Sequence, residues 1–222
     1  MTTLLVLAKA PIPGFAKTRL TPPLSPNEAA TVAAAALLDT LDAVRHTAAD
    51  HRVLAWTGDL ADACRADELS RSLADFALVP QRGRTFGERL ANAHADAAAF
   101  GTPVLQIGMD TPQLTPEDLT TAADLLTDAA DAVLGPAADG GWWALGLATP
   151  QPARALITVP MSTPNTGALT REALHTCGLH IHTLPTHRDV DTFSDAVLVA
   201  AQSTGRFTTT VSTLRTRHLA LR

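Results

Sequence analysis

The sequence has little cysteine, few aromatic residues and no long apolar run, and each of these absences excludes a class of protein. Two cysteines in 222 residues, Cys64 and Cys177, are too few and too far apart for a disulfide framework or a zinc cluster, which favours a reducing compartment. Lys9 interrupts the apolar start, which is therefore too short for a signal peptide or a membrane span. The formal net charge of −5 argues against general nucleic-acid binding. We therefore expect a cytoplasmic protein without membrane insertion.

The rest of the chain reads as a folded α/β protein, with 46% hydrophobic and 18% charged residues. Short apolar runs alternate with helix-like segments that begin at capping boxes, and this alternation predicts a three-layer α/β/α sheet with mostly parallel strands. Strands are predicted at residues 4–8, 52–57, 76–79, 103–107, 132–134, 142–147 and 180–184. Helices are predicted at residues 26–44, 59–73, 86–99, 116–128, 167–177 and 193–202. No composition break divides residues 1–222, so we expect a single domain, and after residue 205 no element is predicted.

A basic loop follows the first predicted strand. It contains Lys9, Lys17 and Arg19, and Gly14 permits a tight turn or the close approach of a ligand. Open α/β sheets bind ligands at the carboxyl ends of their strands, so these cations suggest a polyphosphate site. A solvated basic loop explains the same residues equally well. The loop lacks the glycines of a Walker A motif, so side-chain charge would have to replace the backbone amides of a P-loop.

Acidic residues follow later strands, and a second basic loop contains Arg82. Asp110 comes directly after a buried strand, Asp139 lies in a glycine turn, and Asp189 and Asp191 follow the last predicted strand. Each aspartate alone could be a turn or cap residue. In a parallel sheet, however, all of these loops lie at one edge, so cations and carboxylates converge. Carboxylates suit Mg²⁺, which is often shared with substrate phosphates, and the combination indicates a nucleotide.

Aromatic and histidine side chains give weaker signals. Trp142 and Trp143 are adjacent in an extended segment, so one ring faces the core and the other could stack on a base or sugar, although core packing accounts for both. His180 and His182 alternate on one strand face without a helix-spaced or Cys-paired partner, so no zinc site is predicted. No G-x-S-x-G motif supports covalent hydrolysis.

Four motifs occur in order: K-A-P-x-P-G-x-x-K-T-R-L at 9–20, G-M-D-T-P at 108–112, G-P-A-x-D-G-G at 135–141 and D-V-D-T at 189–192. Together they resemble the bacterial DUF2064 family of glycosyltransferase-A-fold proteins, part of the nucleotide-diphospho-sugar transferase superfamily. The resemblance extends to about residue 201. Similar folds occur in the 2-phospholactate guanylyltransferases, whose first loop also has a K-T-R-L element.

The resemblance implies a Rossmann-like nucleotide-binding sheet and a divalent metal, Mg²⁺ or Mn²⁺. By position, the implied catalytic residues are Lys17, Asp110 and Asp139, and the implied metal ligands are Asp110, Asp191 and Asp189. The implied substrate-binding residues are Lys9, Gly14, Lys17, Arg19, Arg82, Gly140, Gly141 and Trp142. Two departures from the pattern matter. Asp110 lacks the acidic partner of a full D-x-D motif, and Trp142 replaces a tyrosine that many relatives have.

Three functions follow as hypotheses. The first is a metal-dependent glycosyltransferase that moves a sugar from a nucleotide-diphospho-sugar donor to a small-molecule acceptor. The second is a nucleotidyltransferase that couples a nucleoside triphosphate to a phosphate- or phosphonate-bearing molecule and releases pyrophosphate. The third is a non-catalytic nucleotide-binding protein on the same fold.

Overall fold

A seven-stranded sheet forms the centre of the computed structural model, which describes residues 2–220. Its strands are β1 Thr3–Lys9, β2 His51–Thr57, β3 Ala77–Pro80, β4 Val104–Gly108, β5 Asp131–Pro136, β6 Trp142–Leu147 and β7 His180–Thr183. The spatial order is β3-β2-β1-β4-β6-β5-β7. Only β6 runs antiparallel to its neighbours within this described sheet. The mostly parallel α/β sheet expected from the sequence is therefore confirmed.

Helices cover both faces of the sheet. They are α1 Pro26–His46, α2 Ala66–Ser72, α3 Phe86–Ala98, α4 Pro116–Asp124, α5 Thr166–Thr176, α6 Phe193–Ala200 and α7 Arg206–Ala220, with short 3₁₀ helices at Thr18–Leu20 and Gln151–Thr158. Ser25, Thr85 and Thr192 each form the capping box that the sequence indicates, so α1, α3 and α6 begin at the predicted places. No helix among the described residues combines the length and apolarity needed to cross a bilayer.

The alternation along β1 divides the core into two layers. Leu4 and Val6 pack on the side of α1, whereas Leu5 and Leu7 pack on the opposite side with Leu90 of α3. Successive residues of a strand face opposite sides of a sheet, so a continuous apolar run is what a strand buried on both faces requires. The layered core fixes the carboxyl ends of β1 and β4 beside each other.

The largest differences from the predicted elements concern two helices that end or begin elsewhere and one helix that was not predicted. The helix predicted at 59–73 is reduced to α2, because residues 59–65 form turns. The α4 helix ends at Asp124 rather than near residue 128, since the amides of Thr127 and Asp128 donate to the Asp131 carboxylate and form a separate turn. The last helix, α7, lies where no element was predicted; Phe207 anchors it in a third apolar cluster between α1 and α6.

Candidate functional site

A cleft of about 540 Å³ opens at the carboxyl ends of the parallel strands, a volume typical of small-molecule sites. Its walls come from the loops after β1 and β4, the turn between β5 and β6, the segment 161–164 and the loop after β7. The loops that the sequence singles out thus meet at one edge of the sheet.

Lys17 joins the basic loop to the acidic loops. Its Nζ donates to Oδ2 of Asp110 at 2.7 Å and to Oδ1 of Asp191 at 2.9 Å, and Nη1 of Arg19 donates to Oδ2 of Asp191 at 3.1 Å. Burial alone would lower the pKa of Lys17, but the charges of Asp110 and Asp191 outweigh it and raise this pKa, so the ammonium stays charged. Lys17 also adopts a left-handed backbone conformation, with φ 51°, that is uncommon outside glycine.

Three carboxylates crowd together beside this ammonium. Asp110, Asp189 and Asp191 place oxygen atoms within 4.8 Å of one another. Burial, together with the neighbouring charges of Asp110, Asp139 and Asp191, raises the pKa of Asp189 to about 6. Clustered carboxylate oxygens are the donors that Mg²⁺ and Mn²⁺ prefer, so these residues fit a divalent ion.

Two local features place the acidic groups. Gly108 makes room for the side chain of Asp110, because a Cβ at Gly108 would lie 2.5 Å from Oδ1 of Asp110. The amide of Val190 donates to the carbonyl of Asp110 at 2.9 Å, which ties the loop after β7 to the loop after β4. The glycine before Asp110 and the apolar residue between the last two aspartates therefore have structural roles.

The turn between β5 and β6 brings Asp139 into the cleft. The Gly141 amide donates to Oδ1 of Asp139 at 2.8 Å, which fixes the carboxylate beside the cleft that Gly141 also lines. Gly140 does not line the cleft. With φ 91° and a Cβ position only 2.0 Å from the carbonyl oxygen of Pro164, it allows another backbone segment to approach.

The two tryptophans have different environments, as their adjacent positions in a strand require. Trp143 is 4% exposed and donates its indole N–H to the carbonyl of Pro185 at 3.0 Å. Trp142 is half-buried, lines the cleft and donates its indole N–H to Thr170 Oγ1 at 3.2 Å. The indole ring of Trp142, oriented by this hydrogen bond, therefore forms part of the cleft wall.

Of three further residues in the predicted substrate-binding set, one lines the cleft and two do not. Lys9 lines the cleft, with Nζ 5.4 Å from the centre of the Phe15 ring. Gly14 takes the positive φ of a turn but is not a lining residue. Arg82 is directed away from the cleft, since its guanidinium pairs with Asp96 of α3 at 2.5 Å. The expectation that the second basic loop faces the nucleotide is therefore corrected for Arg82.

Several lining residues were missed by the sequence reasoning. Gln81 occupies the second basic loop, and its Nε2 donates to the carbonyls of Ala8 and Ala55 where β1 and β2 end. Gln106 is buried within β4, and a polar residue inside the apolar run VLQI was a signal that could have found it. The segment 161–164 had no such signal, because it lies in the proline- and threonine-rich stretch without clear periodicity.

A basic loop and a carboxylate cluster thus lie at the carboxyl edge of an open α/β sheet, which is where sheets of this kind bind their ligands. The family described as "Uncharacterized protein conserved in bacteria (DUF2064)" matches residues 40–163, and the chain belongs to this family. A search of curated protein sequences finds no significant match.

Solved structures support the same class of fold. A "putative nucleotide-diphospho-sugar transferase" from Desulfovibrio desulfuricans G20 is 26% identical to this chain. The match covers 98% of this chain and 95% of the Desulfovibrio chain, with a TM-score of 0.81. A CMP:2-keto-3-deoxy-manno-octonic acid synthetase in complex with CTP is 11% identical, with coverages of 90% and 97% and a TM-score of 0.56. The manganese complex of Rv0371C from Mycobacterium tuberculosis H37Rv is 19% identical, with coverages of 89% and 97% and a TM-score of 0.53. The last two are similar in fold alone.

Proposed function

We propose that the protein is a metal-dependent transferase that acts on the phosphates of a nucleotide, and that its reaction is nucleotidyl transfer. The observation that carries the proposal is the position of the Lys17 ammonium, 2.7 Å from Asp110 and 2.9 Å from Asp191. Phosphate-neutralising cations and metal-binding carboxylates thereby share one point of the cleft. That is the arrangement required where one phosphorus is attacked while a charged leaving group departs.

The charge of the basic loop favours a triphosphate donor. Lys9, Lys17 and Arg19 all line the cleft, and their three positive charges suit the polyphosphate of a nucleoside triphosphate. The carboxylates also fit nucleotidyl transfer. Asp110 has no acidic partner two residues away, and its partners Asp189 and Asp191 come from a remote loop, unlike the D-x-D pair of many glycosyltransferases.

In the proposed reaction, an acceptor oxygen forms a bond to the α-phosphorus, the bond between this phosphorus and the bridging oxygen breaks, and pyrophosphate leaves. Lys17 and Arg19 stabilise the negative charge that develops on the phosphate oxygens. Asp110, Asp189 and Asp191 would hold Mg²⁺ or Mn²⁺, which supplies further charge neutralisation when bound. An acceptor phosphate is already ionised near neutral pH, so its attack needs no general base.

The acceptor is expected to bind at the wall of the cleft that the β5–β6 turn and the start of β6 provide. Asp139 is fixed by the Gly141 amide, and its second carboxylate oxygen is suited to accept from an acceptor hydroxyl. The half-buried Trp142 provides the apolar surface beside it. A small, phosphate- or phosphonate-bearing molecule with a hydroxyl group fits these two residues.

Glycosyl transfer from a nucleotide-diphospho-sugar is the second candidate. The name of the Desulfovibrio neighbour, which is 26% identical, favours it, and Trp142 could stack on a sugar ring in the cleft. In that reaction the same cations and carboxylates would stabilise a departing nucleoside diphosphate.

The products distinguish the candidates. The protein is incubated with Mg²⁺ or Mn²⁺, a panel of phosphorylated acceptors, and either nucleoside triphosphates or nucleotide sugars. Pyrophosphate release that depends on acceptor supports nucleotidyl transfer, whereas release of free nucleoside diphosphate supports glycosyl transfer. Tight nucleotide binding without either product, unaffected by Asp110→Asn, would instead indicate a binding protein and refute both reactions.

A further inference from the structure

A second group of metal-ligating side chains lies far from the cleft, on two neighbouring strands. His180 and His182 belong to β7, and Asp131 begins β5, which pairs with β7 in parallel register with Asp131 beside His180. The histidines are two residues apart and therefore share one face of their strand. The three side chains place donor atoms within 4.8 Å of one another. The sequence did not predict this group because Asp131 lies 51 residues before His182.

The distances match those between ligands of one small metal ion. Nε2 of His182 lies 3.3 Å and Nδ1 of His180 lies 3.5 Å from Oδ1 of Asp131. Ligands bound tetrahedrally at about 2.0–2.2 Å from zinc are separated from one another by about 3.3–3.5 Å. The two imidazoles and the carboxylate can therefore bind one ion with little rearrangement.

The carboxylate is held in the orientation that such a ligand needs. Oδ2 of Asp131 accepts from the Thr127 amide, the Thr127 hydroxyl and the Asp128 amide at 3.1, 3.1 and 2.8 Å. Oδ1 is left to face the histidines. Hydrogen bonds that orient a ligand in this way raise metal affinity.

The accessibility of the histidines leaves a route for the ion and a place for water. The side chain of His180 is 72% exposed and that of His182 is 27% exposed, whereas the Asp131 side chain is 11% exposed. A site with three protein ligands and one open side retains a position for a water molecule. Imidazole nitrogen favours zinc and its neighbours in the transition series over Mg²⁺.

We propose that Asp131, His180 and His182 bind one divalent transition-metal ion of the zinc type, at a site separate from the nucleotide cleft. Asp131 is the first residue of β5, whereas the cleft lies beyond the last residue of that strand. The two sites are therefore at opposite ends of the parallel strands. β7 is the outermost strand of the described sheet and pairs there only with β5. An ion shared by these strands would hold the outer strand in place.

The test is a calorimetric titration of the tag-free protein with ZnCl₂ in a large excess of MgCl₂. His180→Ala and His182→Ala each remove one ligand, and because His180 is largely exposed its replacement does not endanger folding. His175→Ala is the matched control, since it removes an exposed histidine of α5 outside the group. Both ligand variants are expected to weaken Zn²⁺ binding at least about tenfold, while the control binds like the wild type.

A second measurement identifies the ligands directly. In NMR spectra, the imidazole C–H signals of His180 and His182 are expected to shift together on addition of one equivalent of Zn²⁺, with those of His175 unchanged. Absence of Zn²⁺ binding by the wild type, equal affinity in all four proteins, or unchanged signals of both histidines would overturn the proposal. None of these measurements depends on transferase activity.

Discussion

Replacing Lys17 by methionine is the sharpest test of the cleft, because the structure fixes how much the side chain can contribute. Two of the three ammonium protons are donated to Asp110 and Asp191, which leaves one for a phosphate oxygen. A hydrogen bond to a charged group contributes about 1.5–3 kcal/mol. Since about 1.4 kcal/mol corresponds to a factor of ten, Lys17→Met is expected to lower kcat/KM by about 10- to 150-fold.

The fold should survive this change. The Lys17 side chain is 13% exposed and its two carboxylate partners are about 30% exposed, so the freed aspartates can gain water. We expect a loss of stability no larger than the roughly 3 kcal/mol at the lower end of the range for broken buried ion pairs. Thermal unfolding followed by circular dichroism measures this loss and separates it from the loss of turnover.

Arg82→Met is the matched control, because the sequence predicts the same role for both cations and the structure separates them. Arg82 pairs with Asp96 and does not line the cleft. Its loss is expected to change kcat/KM less than twofold in the pyrophosphate-release assay. The reasoning would be refuted by Lys17→Met with wild-type turnover, or by equal losses in the two variants.

Three further predictions concern metal binding, pH and backbone strain. Asp110→Asn removes one carboxylate of the cleft and should weaken Mn²⁺ binding by calorimetry at least about tenfold; unchanged affinity would exclude Asp110 as a ligand. Burial lowers the pKa of His94 to about 4, so the unfolded chain binds more protons below pH 6.5 and stability falls as the pH falls. Between pH 7 and 5, the free energy of unfolding measured in urea is expected to fall by about 2 kcal/mol because of His94. His94→Leu should not show this part of the decrease, and the same pH dependence in both proteins would contradict the prediction. Gly140→Ala should lower Tm more than Gly14→Ala, because both have positive φ but only the first places a Cβ against Pro164; equal shifts would argue against that contact.

The sequence predicted the sheet well because its signals are local. A continuous apolar run such as residues 4–8 can be buried on both faces only as an inner strand, and capping boxes at Ser25, Thr85 and Thr192 fix helix starts within one residue. Convergence of Lys17 with Asp110 followed from the same logic, because the carboxyl ends of β1 and β4 lie side by side.

The features that the sequence could not predict depend on tertiary contacts. The α7 helix is amphipathic only weakly; it is anchored by Phe207 and by Arg206, which donates to Asp42 at 2.6 Å and to Glu68 at 2.7 Å. Arg82 was assigned to the nucleotide because its loop follows a strand, but Asp96, near the carboxyl end of α3, pairs with the guanidinium instead. Partners this distant in sequence leave no periodic pattern.

The approach of Asp191 to Asp110 requires more than a parallel sheet. The strand order places β7 three positions from β4, which is about 14 Å at the usual strand spacing, so a loop that simply ended β7 would not reach Lys17. Instead the loop after β7 crosses back along the carboxyl edge of the sheet. The His187 amide donates to the Pro136 carbonyl at 3.1 Å, the His187 carbonyl accepts from Ala138, and Val190 then reaches Asp110. The antiparallel β6 makes this crossing necessary, because it separates β5 and β7 from β4. The carboxylate cluster is therefore built by the backbone pairing of this loop, and the aspartates of the D-V-D motif depend on it for their position.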